Sequence, residues 1–190
     1  KAQSDLICTS SNAVELVKRI PKSQKIIFAP DKNLGRWVER KSGRKMKLWE
    51  GSCIVHESFS EESVIKLKLE YPKAKVIAHP ECQQVLLDHA DYIGSTSKLL
   101  NYSKENESTE YIVLTEPGIL YQMRKEMPNK LFLEVQDING CSCNKCPYMR
   151  LNTMEKILDC LENMSPKIIM EETIRLKALK PIKKMLEMSR

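Results

Sequence analysis

Three segments of this chain recur about 85 residues further on, and that periodicity constrains the fold more than any single motif. Asp5-Leu6-Ile7-Cys8-Thr9-Ser10-Ser11 is echoed by Asp91-Tyr92-Ile93-Gly94-Ser95-Thr96-Ser97, an offset of 86 (5 to 91). Lys25–Asp31 is echoed by Glu110–Glu116 at an offset of 85 (25 to 110), and Lys47–Glu50 by Leu131–Glu134 at 84 (47 to 131). Each copy runs apolar stretch, polar turn, helix start, apolar stretch, helix, apolar stretch. Repeats of this length read as two copies of one α/β unit, each with a small parallel sheet. The second copy also has an opening helix and strand, Glu61 to Ala78, that the first lacks after Lys1. The expectation is therefore a truncated first unit over 1–60, a second unit with a cysteine loop over 61–149, and a C-terminal helical tail over 150–190. On this reading the chain is a piece of something longer.

Local patterns fill in the elements. Lys25–Asp31 is a short apolar run closed by Pro-Asp, the form of a strand buried on both faces. A helix from Leu34 to about Lys41 ends at Ser42-Gly43, and Lys45–Trp49 alternates as a strand should. Helices are expected over Glu61–Glu70, from Gly118 to about Met127, over Thr153–Asn163, and over Glu172–Met188 with a break or kink at Pro181. Asp5–Cys8 and Ala74–Ala78 read as strands. Thr9-Ser10-Ser11 and Ser95-Thr96-Ser97 read as turns whose hydroxyls cap the following helices. Trp37 and Trp49 are assigned to the core, and Cys8, Cys82 and Cys160 are read as small buried hydrophobes.

Composition enters here to exclude classes. With 42% apolar and 29% charged residues the chain is an ordinary globular sequence. A net charge of +6 on scattered lysines does not make a dedicated nucleic-acid surface, so anionic small molecules are the better match. No apolar run approaches the roughly 20 residues that cross a bilayer, so no membrane partner is expected. Seven cysteines, an odd number with no secretory leader, read as reduced thiols of the cytoplasm, with a plastid as the alternative.

Three of those cysteines fall within six positions, in Asn139-Gly140-Cys141-Ser142-Cys143-Asn144-Lys145-Cys146-Pro147. Thiolates so close together suit a metal or iron–sulfur centre. C-x-C-x-x-C is not a complete zinc module, so further ligands must come from elsewhere, with Cys53 and Cys82 as candidates. Ligands of parallel sheets bind beyond the carboxyl ends of the strands. That edge carries Thr9-Ser10-Ser11, Cys53 with His56, His79-Pro80-Glu81, Ser95-Thr96-Ser97 and Cys146. His89, on a helical stretch, reads as structural.

Taken together, these blocks resemble the quinolinate synthases. The resemblance rests on Thr9-Ser10-Ser11-x-Ala13-Val14, Ala29-Pro30-Asp31-Lys32-Asn33-Leu34-Gly35-Arg36 and Gly51-Ser52-Cys53-Ile54-Val55-His56-Glu57. It continues through His79-Pro80-Glu81, Gly94-Ser95-Thr96-Ser97 and Cys146-Pro147-Tyr148-Met149 with Asn152, nearly the whole chain. It implies an α/β fold of repeated small three-layer units in a pseudo-threefold array, here with the first unit absent. It implies a transferase that condenses iminosuccinate with dihydroxyacetone phosphate to quinolinate in NAD biosynthesis. One 4Fe-4S cluster, held by one cysteine per unit, would act as Lewis acid. Cys53 and Cys146 match two of the cluster ligands. Ser10, His79, Pro80, Glu81 and Thr96 match substrate-binding positions, and His56 and Glu81 match catalytic ones. The implied partner is the L-aspartate oxidase or dehydrogenase that supplies iminosuccinate. With one unit missing, the isolated chain is expected to have little activity. The competing readings are a non-enzymatic iron–sulfur or zinc-binding module and a phosphosugar-binding protein.

Overall fold

The computed structural model describes residues 1–136 and 144–190. In chain order its first half holds α1 (Ala13–Arg19), β1 (Ile27–Phe28), α2 (Lys32–Ser42), β2 (Lys47–Leu48), α3 (Ile54–Glu57), α4 (Glu61–Glu70) and β3 (Lys75–Ala78). Then come α5 (Gln84–Leu87), β4 (Tyr92–Ile93), α6 (Thr96–Glu105), β5 (Glu110–Leu114), α7 (Gly118–Glu126) and β6 (Leu131–Glu134). A 3-10 turn (Met149–Leu151) leads to α8 (Met154–Asn163) and α9 (Glu172–Met188).

The strands form two parallel sheets, β1 beside β2 and a four-stranded sheet ordered β4-β3-β5-β6. The repeat is visible in the pairing. Ile27 and Phe28 lie opposite Lys47 and Leu48 across α2, as Glu110 to Val113 lie opposite Leu131 to Glu134 across α7. Strand periodicity of two divides the larger sheet between two apolar clusters. Val76, Ala78, Ile112 and Leu114 face one with Val64, Leu86 and Leu87 from α4 and α5. Ile77, Tyr111, Val113 and Phe132 face the other with Leu99, Leu120 and Met123 from α6 and α7. The result is a three-layer helix–sheet–helix arrangement. Each Val, Leu, Ile, Phe or Met among these side chains contributes about 1.5–3 kcal/mol of burial. The first cluster also takes in Ala13, Val17, Phe28, Trp37, Val38 and Val55, so residues of both sheets share one core.

Several expectations are corrected. Leu6–Cys8 is not a strand. Its repeat counterpart β4 is held by β3 through Ile77–Tyr92 and Ala78–Ile93, and no described strand stands in that place beside Leu6–Cys8. β1 is not buried on both faces, since Ile27 is 75% exposed while Phe28 is 6% exposed. Trp37 is core, but Trp49 is 64% exposed beyond the end of β2. Cys160 is exposed on α8, a helix without a buried residue. Helix α9 runs unbroken through Pro181, whose buried ring anchors it. The end of α9 meets α1, with Asn12 Nδ2 donating to Ser189 Oγ (3.2 Å) and Arg19 donating to the Met188 carbonyl.

Candidate functional site

Cys53, His56, His79, Glu81 and Thr96 sit just past the carboxyl ends of β2, β3 and β4, while Ser10 lies in the turn before α1. After β1 the chain turns into α2 through Asp31. Asp31 Oδ1 accepts from the Leu34 amide (2.7 Å), the ordinary N-cap bond. Its second oxygen accepts from the Cys53 amide (2.9 Å), so one carboxylate caps α2 and fixes the loop after β2. Gly51 lets that loop approach: a Cβ there would stand 2.5 Å from the Pro30 carbonyl oxygen. Cys53 is the N-cap of α3, and His56 lies in its single turn. After β3, His79-Pro80-Glu81-Cys82 makes a turn closed by the Cys82 amide on the His79 carbonyl (3.0 Å).

These two loops meet. Cys53 Sγ, a ring nitrogen of His56 and a carboxylate oxygen of Glu81 lie within 4.8 Å of one another. His56 Nδ1 is 3.1 Å from Glu81 Oε2, close enough for charge attraction, but the two are not aligned as a hydrogen bond. His56 Nε2 faces Thr115 Oγ1 at 3.4 Å. The His56 and His79 rings stack with centroids 4.6 Å apart and planes 17° from parallel. His79 Nδ1 accepts from the Glu81 amide (3.3 Å), so its proton sits on Nε2, which donates to Ser10 Oγ (3.1 Å).

The electrostatics follow from this packing. The His56 side chain beside Cys53 holds its thiol below the usual range, against the effect of burial. Burial alone would lower the pKa of His56, but the Cys53 and Glu81 side chains more than offset it and push it up to about 9. Burial, then the charge on His56, push His79 down to about 4. Burial would raise Glu81, yet its two histidine neighbours hold it below the ordinary value. The site thus pairs a thiolate-prone sulfur with a cationic imidazole, a neutral imidazole and a carboxylate, which suits proton transfer, and a metal bound there displaces the proton of His56.

Of the residues singled out from the sequence, Ser10, Cys53, His56, His79 and Glu81 come together, with Pro80 buried in the turn between the last two. Thr96 is the first residue of α6 and half-buried. Lys98, one half-turn on, donates to the Ser11 carbonyl (3.1 Å), bringing the start of α6 to the Ser10 turn. Neither hydroxyl turn caps its helix: Asn12 precedes α1 and Ser95 precedes α6 without a side-chain cap bond. Cys146 is half-buried at the rim of the shared core and is not among the three grouped donors. Its amide points at Glu116 Oε1 (3.5 Å), and Asn144 accepts from Ser58 Oγ (3.1 Å) at the end of α3. Cys141 and Cys143 lie outside the described residues. Cys82 is fully buried, and burial raises its thiol out of the ligand range. The His89 ring faces Glu61 Oε1 at 2.8 Å, a structural contact.

Sequence reasoning passed over Asp31, Asn33, Glu57, Gln83 and Thr115. All but Gln83 stand inside segments already noted, yet amide and carboxylate side chains there look like ordinary loop polarity until their partners are seen. Two surface cavities lie away from these residues. One of about 630 Å³ is lined by Arg124, Lys125, Lys145 and Arg150 beside α7. Another of about 430 Å³ lies beside Arg36, Arg40 and Arg44.

Parallel α/β units that converge a thiolate, two imidazoles and a carboxylate at their strand ends define an α/β protein with a metal-competent donor set. Comparison with known proteins narrows this. The profile of the quinolinate synthetase A protein (NadA) family matches residues 1–187, and the chain belongs to that family. Quinolinate synthase of Prochlorococcus marinus strain MIT 9303 is 63% identical over 188 residues, 99% of this chain and 56% of the relative. Quinolinate synthase of Microcystis aeruginosa strain NIES-843 is 58% identical over 189 residues, 100% of this chain and 59% of the relative. The chain therefore spans a little over half the length of these relatives. No helix among the described residues is long and apolar enough to cross a membrane.

Proposed function

We propose that this chain carries part of the active site of a quinolinate synthase, a transferase that condenses iminosuccinate with dihydroxyacetone phosphate. The observation that carries this reading is the meeting of Cys53, His56, His79, Glu81 and Ser10, which come from three separate motifs, in a chain of this family. Two cysteines of the chain fit part of the ligand set of a 4Fe-4S cluster in their chemistry. Cys53 is thiolate-prone, and Cys53 and Cys146 are both half-buried on the rim of one core, where soft sulfur ligands suit iron. When bound, the cluster supplies a Lewis-acidic iron that polarises a substrate oxygen.

The protein's own residues do the rest. Ser10, neutral His79 and Thr96 hold the dicarboxylate by hydrogen bonds. Glu81 accepts a proton in the imine–enamine and dehydration steps, and His56, cationic beside it, returns one. Pro80 shapes the turn that presents His79 and Glu81 together. The proposed setting is the cytoplasm, with iminosuccinate supplied by an L-aspartate oxidase or dehydrogenase. Cys53-His56-Glu81 also has the sulfur–nitrogen–oxygen make-up of a three-ligand zinc site, which is the second reading.

The test is anaerobic reconstitution with iron and sulfide, counting iron per chain and recording the EPR spectrum of the reduced sample. It is run on this chain and on a protein of the relatives' full length, followed by quinolinate assay. A cluster and turnover in the longer protein, both lost in Cys53→Ser and in Cys146→Ser, is the expected result, with little turnover from the 190-residue chain. One tightly bound Zn²⁺ per chain and no cluster in either protein would replace this reading with the second.

A further inference from the structure

The two halves of the site belong to different sheets. Cys53 and His56 follow β2, while His79 and Glu81 follow β3, and no short stretch of chain sets the gap between them. What spans it is a small hydrogen-bond network of residues outside the grouped donors. Asn33, in the first turn of α2 and 5% exposed, donates through Nδ2 to Glu57 Oε1 (2.8 Å) and to the Glu81 carbonyl (3.1 Å). Gln83 Nε2 donates to the other Glu57 oxygen (2.7 Å) and to the Glu57 carbonyl (3.1 Å). Glu57 directly follows His56, and Gln83 comes two residues after Glu81. Four hydrogen bonds therefore tie the main chain at 57 to the main chain at 81–83, one residue from His56 and at Glu81 itself. α2 also grips the Cys53 amide through Asp31, so its first turn is the common support of both loops.

We infer that Asn33, Glu57 and Gln83 are positioning residues that set the separation of Cys53–His56 from His79–Glu81, with Glu57 as the indispensable acceptor. A carboxylate is required because both of its oxygens receive an amide N–H. An amide at 57 serves Asn33 with its oxygen but turns a donor against the donor of Gln83. The inference rests on the proposed function only for the use to which the assembled groups are put. Groups that orient metal ligands from behind change metal affinity about 10–100-fold when removed.

The experiment uses Co²⁺ as the probe of the 190-residue chain, reading the thiolate-to-cobalt absorption band and the affinity by chelator competition. Cys53→Ser removes the band and so assigns it. Glu57→Gln and Asn33→Ala weaken Co²⁺ binding by about 10–100-fold while far-UV circular dichroism stays that of a folded chain. Gln83→Ala, which removes two of the four bonds, weakens binding as well, and adding Glu57→Gln to it costs little more, because the opposed donor is already gone. The inference is overturned if the unmodified chain shows no Cys53-dependent band. Unchanged affinity in Glu57→Gln and Asn33→Ala, or losses in Glu57→Gln and Gln83→Ala that simply add, overturns it as well. Failure of cluster assembly and turnover in the full-length protein, with this coupling intact, would instead remove the proposed function and leave the positioning role standing.

Discussion

His56 and His79 stack on each other yet are driven to opposite protonation states, because only His56 has the Cys53 thiol beside it, and Glu81 Oε2 lies 3.1 Å from its ring against 3.8 Å from that of His79. A folded-state pKa of about 9 means that His56 adds stability that is complete below pH 6.5 and lost as pH rises toward 9. His79, at about 4, adds stability present above pH 6.5 and lost as pH falls toward 4. Urea unfolding of the metal-free chain should therefore show greatest stability near pH 6.5. The acid loss assigned to His79 is on the order of 3 kcal/mol. His79→Asn should flatten the fall between pH 6.5 and 4, and a variant curve parallel to the unmodified one would refute the assignment. The same cationic ring is the main reason Cys53 is thiolate-prone. In His56→Asn, alkylation of Cys53 by iodoacetamide at pH 7 should slow by about tenfold, because the thiolate fraction falls. Equal rates would detach the sulfur from the histidine.

The elements that carry these residues were unequally legible. α4 was read from the sequence with the bounds it has, and α2 ends as read at Gly43, whose φ of 71° no β-substituted residue adopts without strain. Helix termini are local events, settled by capping groups within four residues. Strands β1 and β2 were read too long, because an isolated two-stranded sheet pairs only where both backbones stay in register. The loop after β2 is the tightest element of the site. Gly51→Ala places a methyl 2.5 Å from the Pro30 carbonyl, and backbone cannot yield as a side chain can. A loss of about 1–3 kcal/mol in thermal or urea unfolding is expected. Asp31→Ala removes the cap of α2 and the acceptor for the Cys53 amide together. Its cost should exceed the roughly 1 kcal/mol of an ordinary cap loss, and a smaller one would mean that the Cys53 bond contributes nothing.

Across the molecule, one apolar cluster reaches from Val17 and Trp37 beside the small sheet to Ile112 in the larger one and Val135 just past it. The repeat units should therefore unfold together. Ile112→Ala, at a position with no exposed surface, should lower stability by about 2–4 kcal/mol. It should shift the tryptophan-fluorescence and far-UV transitions by the same amount. A fluorescence transition that stays put would show the units to be independent. The repeat, the parallel α/β class, the bounds of α4, the end of α2 and the motif residues were readable from the chain, because periodicity, capping and turn chemistry act within a few neighbours, whereas the short helices α3 and α5 were not read. Sequence also named five of the six side chains that meet at the site: Ser10, Cys53, His56, His79 and Glu81. It did not reveal that Thr115 faces His56, that Glu57 receives two amides, or that Trp49 lies outside the core. Nor did it reveal which of two stacked histidines is charged. Those outcomes depend on which groups from distant segments become neighbours and on how much water is excluded between them, and both are set when the two sheets share their core.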